Sequence, residues 1–186
     1  MARRTPSSPP PPLSEAKLRD LALTYAARFA TTEAKLSTYL RRKIRERGWT
    51  YENCAEEKAP QPEALAAEFS ELGYVNDQLF AEGKAAALGR KGMGKLRIKS
   101  TLRAAGIAED IAQPLCESDP AEDFARALRF AERRRIGPYS RTQPDDKSRS
   151  RWMGALVRAG HPFGIAYQVM ALQTLAEAEE ALSNFD

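Results

Sequence analysis

The residues with the most obvious chemical meaning form a glycine-rich stretch, Gly89-Arg90-Lys91-Gly92-Met93-Gly94-Lys95. This stretch matches GxxxxGK, the start of a phosphate-binding loop whose backbone amides and lysine hold nucleotide phosphates. That loop continues with Ser or Thr to hold magnesium, but Leu96 follows here. The loop also needs a preceding strand, whereas the residues before Gly89 have helical spacing. We therefore expect no nucleotide site and interpret the stretch as an interhelical loop from which basic side chains project.

Few other residues could perform catalysis. His161 is the only histidine, and it precedes Pro162 at a predicted helix start, where we expect a structural role. A general base would need an orienting carboxylate and a nucleophile, and the sequence indicates neither. Cys54 and Cys116 form no CxxC pair, which is typical of reduced thiols in a cytoplasmic protein. We therefore expect a protein that is not an enzyme and uses no metal or cofactor.

Positive charge is concentrated in three segments, although the net charge is only +4. Residues 84–103 contain seven basic residues and no acidic one. Residues 41–47 contain five basic residues and one acidic residue, and residues 126–151 contain nine basic and three acidic residues. Lys95, Lys99 and Arg103 lie four apart, which predicts one exposed stripe on a helix. Such surfaces suit nucleic acid or an acidic protein, although solvated helix faces are the alternative interpretation. The residues predicted to bind a partner are Arg41, Arg45, Arg90, Lys91, Lys95, Arg97, Lys99, Arg103, Arg133 and Arg134.

The first twelve residues are unlike the rest of the chain. Five of them are prolines, which lack the amide proton and have a fixed φ, so we expect an extended, disordered tail. This segment has Arg3 and Arg4 but no apolar core, so it does not resemble a signal peptide. No apolar run in the chain approaches the roughly 18 residues of a membrane helix, and we expect no membrane contact.

The spacing of apolar residues after this tail predicts helices throughout. Ser14, Thr32, Asn76 and Asp119 each precede a helical pattern and suit the N-cap position, where a side-chain oxygen accepts a backbone N–H. No stretch shows the alternation of a strand, so we expect essentially no sheet.

Three glycines mark an internal repeat. An apolar residue stands eight and four positions before each of Gly48, Gly106 and Gly160, and the glycines are 58 and 54 residues apart. This period fits a three-helix unit that is too small to be stable unless neighbouring units stack. The predicted organisation is a tail (1–13), three three-helix repeats (14–74, 75–118 and 119–178) and an acidic C-terminal tail (179–186).

The central part of the chain resembles the RecX family. Residues 72–81, LGYVNDQLFA, are similar to the family's glycine, two hydrophobic residues and D/N-D, followed by phenylalanine and alanine. Residues 91–98, KGMGKLRI, resemble its KGxGxxRI loop, and residues 102–107 resemble its LxxxGI helix end. Residues 26–48 are similar to its first repeat, and the whole resemblance spans about residues 18–175.

The resemblance implies an all-α fold in which three tandem three-helix modules form an elongated, curved, right-handed helical repeat. It also implies a regulator that binds the RecA recombinase on DNA and inhibits its ATPase, recombinase and coprotease activities without a cofactor. The expected partner is the RecA filament, the expected state is a monomer, and direct contact with single- or double-stranded DNA stays open. The alternative is a helix-turn-helix-like transcriptional regulator, in which Lys95 and Arg97 would begin a recognition helix.

Overall fold

A computed structural model describes residues 11–50 and 60–183. In this part of the chain all regular structure is helical, apart from one isolated bridge between two residues. The expected all-α class is therefore confirmed. Residues 11–50 and 60–183 contain ten α-helices and one short 3-10 helix, Gly137–Tyr139. The α-helices are α1 (Glu15–Arg28), α2 (Glu33–Arg47), α3 (Pro62–Glu71), α4 (Asp77–Arg90), α5 (Lys95–Ala104), α6 (Glu109–Cys116), α7 (Pro120–Arg134), α8 (Asp146–Arg158), α9 (Phe163–Ala171) and α10 (Leu175–Ser183).

Side-chain caps begin the helices where the sequence predicted them. The side chain of Ser14 accepts the Lys17 N–H at 3.5 Å, and that of Thr32 accepts the Lys35 N–H at 3.2 Å. Asn76 and Asp119 cap α4 and α7 in the same way, at 2.8 and 2.6 Å. Because each cap needs only residues within one turn, these helix starts are encoded locally.

The described residues up to Phe80 form one compact unit around α1, α2 and α3. Its core includes Leu18, Leu36, Leu40 and Phe69, which α1, α2 and α3 present to one another. Leu13 is also fully buried there, and its backbone pairs with the segment after α2 through Leu13 N–H to Gly48 O at 3.0 Å. The tail was predicted to include residue 13, but Leu13 belongs to the folded unit. Burial of this leucine stabilises the segment that leads into α1. Residues 1–10 lie outside the described residues.

The residues from Ala81 onward form the second unit, in which α5 packs on α6, and α7, α8 and α9 pack together. Phe124, Leu128, Leu156 and Val169 are among its buried apolar side chains. Contacts therefore divide the chain into two compact units, while the helices occur in three consecutive groups of three followed by α10. The three repeat boundaries and the curvature of the array stay predictions.

The C-terminal segment differs from the expected acidic tail. Residues 179–183 continue α10, which packs against α7 and the 3-10 helix. Ala178 is buried, and Ala181 and Leu182 pack against the same core. These small apolar positions one turn apart give α10 a face that can be buried despite its glutamates, which is why a helix forms here. Among the described helices, none is long and apolar enough to span a membrane.

Candidate functional site

The glycine-rich stretch is a packed turn between α4 and α5. Gly92 has φ of +75°, and a side chain there would overlap the backbone of Phe130 in α7. A side chain at Gly94 would overlap the backbone of Gly160, in the turn between α8 and α9. The glycines are therefore required by close backbone contact within the second unit. The helix α4 precedes this turn, whereas a phosphate-binding loop follows a strand.

His161 holds this turn in place. Its side chain is 1% exposed, and its Nε2 lies 2.9 Å from the Gly92 carbonyl oxygen, to which it donates in the neutral form. Burial lowers the pKa of His161 below its ordinary value, and this effect outweighs the hydrogen bond to Gly92 and the negative charge of Asp123, which both favour the protonated form. No group of three or more metal-binding side chains occurs among the described residues. The imidazole is thus a structural hydrogen-bond donor, in line with its predicted role.

The predicted stripe on α5 is largely neutralised by ion pairs with α6 and α7. Lys95 is half-buried and lies 2.6 Å from the carboxylate of Asp123, whose side chain is only 4% exposed. Lys99 lies 2.5 Å from the carboxylate of Glu109. Only Arg103 of these three is exposed with no ion pair among the described residues. The stripe is therefore not uniformly exposed, because α6 and α7 bring carboxylates that are distant in the sequence.

Of the two predicted binding residues in α2, one forms an ion pair and the other does not. Arg41 pairs with Glu63 of α3 at 2.6 Å, and its guanidinium also donates to the Ser37 hydroxyl. Arg45 is exposed and has no ion pair among the described residues. Ion pairing makes Arg41 a contributor to α2–α3 packing and leaves Arg45 as the available cation.

Five exposed cations lie on the turn and on the second half of α7, which pack together. Arg129 of α7 donates to the Gly89 carbonyl oxygen at 3.2 Å, and the backbone of Gly92 lies against Phe130. Both contacts bring the turn and the second half of α7 together, so their basic residues share one neighbourhood. All five are exposed, and none has an ion pair in the described part of the chain. We call this set the basic junction surface; it comprises Arg90, Lys91, Arg129, Arg133 and Arg134.

The sequence prediction contained four of these five residues and missed Arg129. The sequence feature that could have indicated Arg129 is its position four residues before Arg133, which places both side chains on one face of α7. Glu132 is the single acidic residue in residues 127–134, so this half of the helix stays strongly positive. Arg97 is also exposed, but it lies beyond the turn, in the first helical turn of α5.

The backbone at the start of α5 is hydrogen-bonded to the turn between α8 and α9. Gly94 N–H donates to the Ala159 carbonyl at 3.0 Å, and Leu96 N–H donates to the Gly160 carbonyl at 3.2 Å. A recognition helix inserts its N-terminal residues into the major groove, so this end must be accessible. Backbone contact occupies one side of this helix end, while the side chains of Leu96 and Arg97 stay exposed, so the helix-turn-helix alternative for α5 stays a prediction.

Comparisons with known proteins agree with this architecture. Residues 76–113, which contain α4, α5 and most of α6, match the family model described as RecX, second three-helix domain. The crystal structure of RecX from Lactobacillus salivarius superposes with a TM-score of 0.56 at 18% identity, covering 84% of this chain and 94% of that one. This likeness supports the fold alone.

Two sequence relatives extend over nearly the whole chain. The regulatory protein RecX of Agrobacterium fabrum is 29% identical, over 89% of this chain and 88% of its own length. The regulatory protein RecX of Myxococcus xanthus is 34% identical over 167 residues, which is 87% of this chain and 88% of that protein. With this identity, this coverage and the matching three-helix domain, the chain belongs to the RecX family of regulatory proteins.

Proposed function

We propose that this protein binds the RecA recombinase assembled on DNA and inhibits its ATPase, recombinase and coprotease activities. It acts as a cytoplasmic monomer that uses no cofactor. Family membership supports the regulatory role, and the basic junction surface is the observation that supports binding to a negatively charged partner. A RecA filament offers such a partner, since it combines protein with the phosphate backbone of DNA.

The basic junction surface is suited to binding because its charges are positioned but not neutralised. The contact of Gly92 with Phe130 holds the turn against α7, and the His161–Gly92 hydrogen bond holds it against the turn between α8 and α9. A rigid arrangement loses little conformational entropy when a partner binds. Arg45, Arg97 and Arg103 are further exposed cations that we propose contribute to the same partner.

Lys95, Lys99 and Arg41 have a different proposed role. Their ion pairs with Asp123, Glu109 and Glu63 must be kept or exchanged when a partner binds. Reversing Lys95 would place two carboxylates side by side at a buried aspartate and would destabilise the fold. A test of binding should therefore reverse exposed, unpaired cations.

The experiment is a titration of the protein into the single-strand-DNA-dependent ATPase of RecA from the same organism. We expect inhibition well below one protein per RecA monomer, and excess DNA should not abolish it. The variant Arg90→Glu/Lys91→Glu/Arg133→Glu should need about tenfold more protein, since loss of roughly 1.4 kcal/mol of binding energy corresponds to that factor. Its far-UV circular dichroism should equal that of the wild type.

The matched control is Lys17→Glu/Arg28→Glu/Lys147→Glu, which changes the net charge equally at exposed residues without an ion pair in the described chain. It should inhibit within about twofold of the wild type, because general charge effects at physiological salt are largely screened. Equal weakening by both variants would contradict the proposed surface. Absence of inhibition by the wild type, or inhibition that only follows DNA sequestration, would contradict the proposed function.

A further inference from the structure

A hollow of about 550 Å³ lies between α8 and α9. Its walls carry the apolar side chains of Met153, Met170, Phe163 and Tyr167. The last two are 66% and 62% exposed, and they lie one turn apart on α9. α9 contains no charged residue at all. Large aromatic side chains that stay exposed beside a concave apolar wall are typical of a binding site for a partner.

A second hollow of about 410 Å³ shares Arg149 and Met170 with the first. It is lined by Arg141, Ser140 and Thr142 as well as Arg149, and no acidic residue lines either hollow. Arg141 and Arg149 are exposed, and neither has an ion pair among the described residues. The two hollows together form what we call the α8–α9 groove, apolar at one end and bearing two guanidinium groups at the other.

The acidic residues that begin α8 do not neutralise these arginines. Asp145 is the N-cap, and its carboxylate accepts the Ser148 N–H at 2.9 Å. Hydrogen bonds from Ser148 lower the pKa of Asp145, which keeps it charged in this capping role. Asp146 is exposed and forms no ion pair with Arg149. Arg141 and Arg149 are therefore available to carboxylates of a bound partner, which can accept paired hydrogen bonds from a guanidinium group.

We infer that the α8–α9 groove binds an acidic segment of a partner protein, with a bulky apolar side chain between Met153 and Tyr167 and a nearby carboxylate on Arg141 and Arg149. Methionine-rich walls adapt to aliphatic and aromatic side chains of a docked amphipathic helix. Single-stranded nucleic acid prefers aromatic platforms along a continuous basic track, whereas one wall of this groove is uncharged. The inference does not rest on the basic junction surface, because the residues of the two surfaces are entirely different.

The test begins with a displayed library of random 16-residue peptides, selected on the immobilised full-length protein. We expect enriched sequences to combine aromatic or aliphatic residues at helical spacing with Asp or Glu. Fluorescence anisotropy then measures the affinity of an enriched peptide for the wild type and two variants. Phe163→Ala/Tyr167→Ala should weaken binding at least about tenfold, since buried aromatic contacts dominate such interfaces. Arg141→Glu/Arg149→Glu should weaken it about tenfold at low salt and less at 0.5 M salt.

Two controls match these variants in chemistry. Leu79→Ala removes an exposed apolar side chain from α4, and Lys147→Glu/Arg151→Glu reverses two exposed cations of α8 that line neither hollow. Both should bind the peptide within about twofold of the wild type. Circular dichroism of all variants should be unchanged because every altered side chain is exposed.

Several results would overturn the inference. Enriched peptides without acidic residues, or peptide binding that is unaffected by both groove variants, would show that the groove does not select this chemistry. Binding of oligo(dT) that is lost in Phe163→Ala/Tyr167→Ala and not displaced by the peptide would assign the groove to single-stranded nucleic acid. A dimer in sedimentation equilibrium that the same variant dissociates would assign it to a second copy of this chain.

Discussion

At the scale of single residues, His161 is unusual because it is nearly fully buried yet has one hydrogen bond. Its Nε2 is bonded to the Gly92 carbonyl, while Nδ1 has no partner among the described residues. Protonation of Nδ1 would place a charge in this buried site, where desolvation disfavours the charged form more than the nearby Asp123 favours it. The neutral imidazole therefore favours the folded state, in keeping with its lowered pKa.

The first prediction follows for the pH dependence of stability. Above its ordinary pKa of 6.5, His161 is neutral in both the folded and the unfolded chain, and its contribution is complete. Below this pH the imidazole is protonated in the unfolded chain but still neutral in the folded chain. The free energy of unfolding therefore falls by at most about 1.4 kcal/mol per pH unit until the pH reaches the lowered pKa of the folded state. Urea unfolding of the wild type and His161→Gln between pH 7.5 and 5 measures the difference.

Because His161 is the only histidine, the variant removes this effect while the carboxylates titrate equally in both proteins. We expect a smaller loss of stability in His161→Gln than in the wild type over this range. Equal losses would mean that the imidazole is not held in its neutral form by the fold.

At the scale of helices and turns, the turn between α8 and α9 stabilises the second unit through backbone contact. Gly160 has φ of +93°, and a side chain there would overlap the backbone of Arg97 at the start of α5. Gly164 lies in α9, and a side chain there would meet nothing within 4 Å. The two glycines are thus a natural pair for comparing a required glycine with a replaceable one.

The second prediction concerns this pair. Gly160→Ala should lower the free energy of unfolding by at least about 2 kcal/mol, because it combines a strained φ with a backbone overlap. Gly164→Ala should raise it by up to about 1 kcal/mol, since alanine loses less backbone entropy in a helix. Urea unfolding measures both, and comparable stabilities of the two variants would contradict the close packing at Gly160.

The difference between local and distant contacts explains what the sequence could predict. Ser14, Thr32 and Asn76 act within one helical turn, so their caps could be assigned from spacing alone. The exposure of the stripe on α5 could not be judged from spacing alone, since Asp123 pairs with Lys95 only because α7 packs near α5. Gly160 was recognised as one of the three repeat glycines, but its contact with Arg97 depends on how α5 and the turn between α8 and α9 pack.

α10 was missed for a different physical reason. Its sequence, LAEAEEALS, has three glutamates and few large apolar residues, so its pattern indicated an acidic tail. Alanine and leucine nevertheless pack on a surface that α7 and the 3-10 helix already provide. Tertiary packing thus gave this segment a stability that its own periodicity did not predict.

At the scale of the whole molecule, the second and third helix groups share one compact unit although the repeat suggests separate modules. Hydrogen bonds from Gly94 and Leu96 to residues 159 and 160 connect the two groups by their backbones. Such contacts favour opening of α5 and α8 together, since neither group can move without breaking them. The first unit has its own core of side chains from α1, α2 and α3.

The last prediction uses native-state hydrogen exchange to test this cooperativity. In Gly160→Ala, the amides of α5 should lose protection by the same free energy as those of α8, because the substituted turn connects them. The amides of Leu36 and Leu40 in α2 should change by less than about 0.5 kcal/mol, since α2 belongs to the first unit and packs in that unit's own core. Loss of protection in α8 alone would show that the repeats open as separate modules, and the basic junction surface would then lie between independently moving parts. Equal loss in α5 and α8 would mean that this surface is presented to a partner as one rigid face.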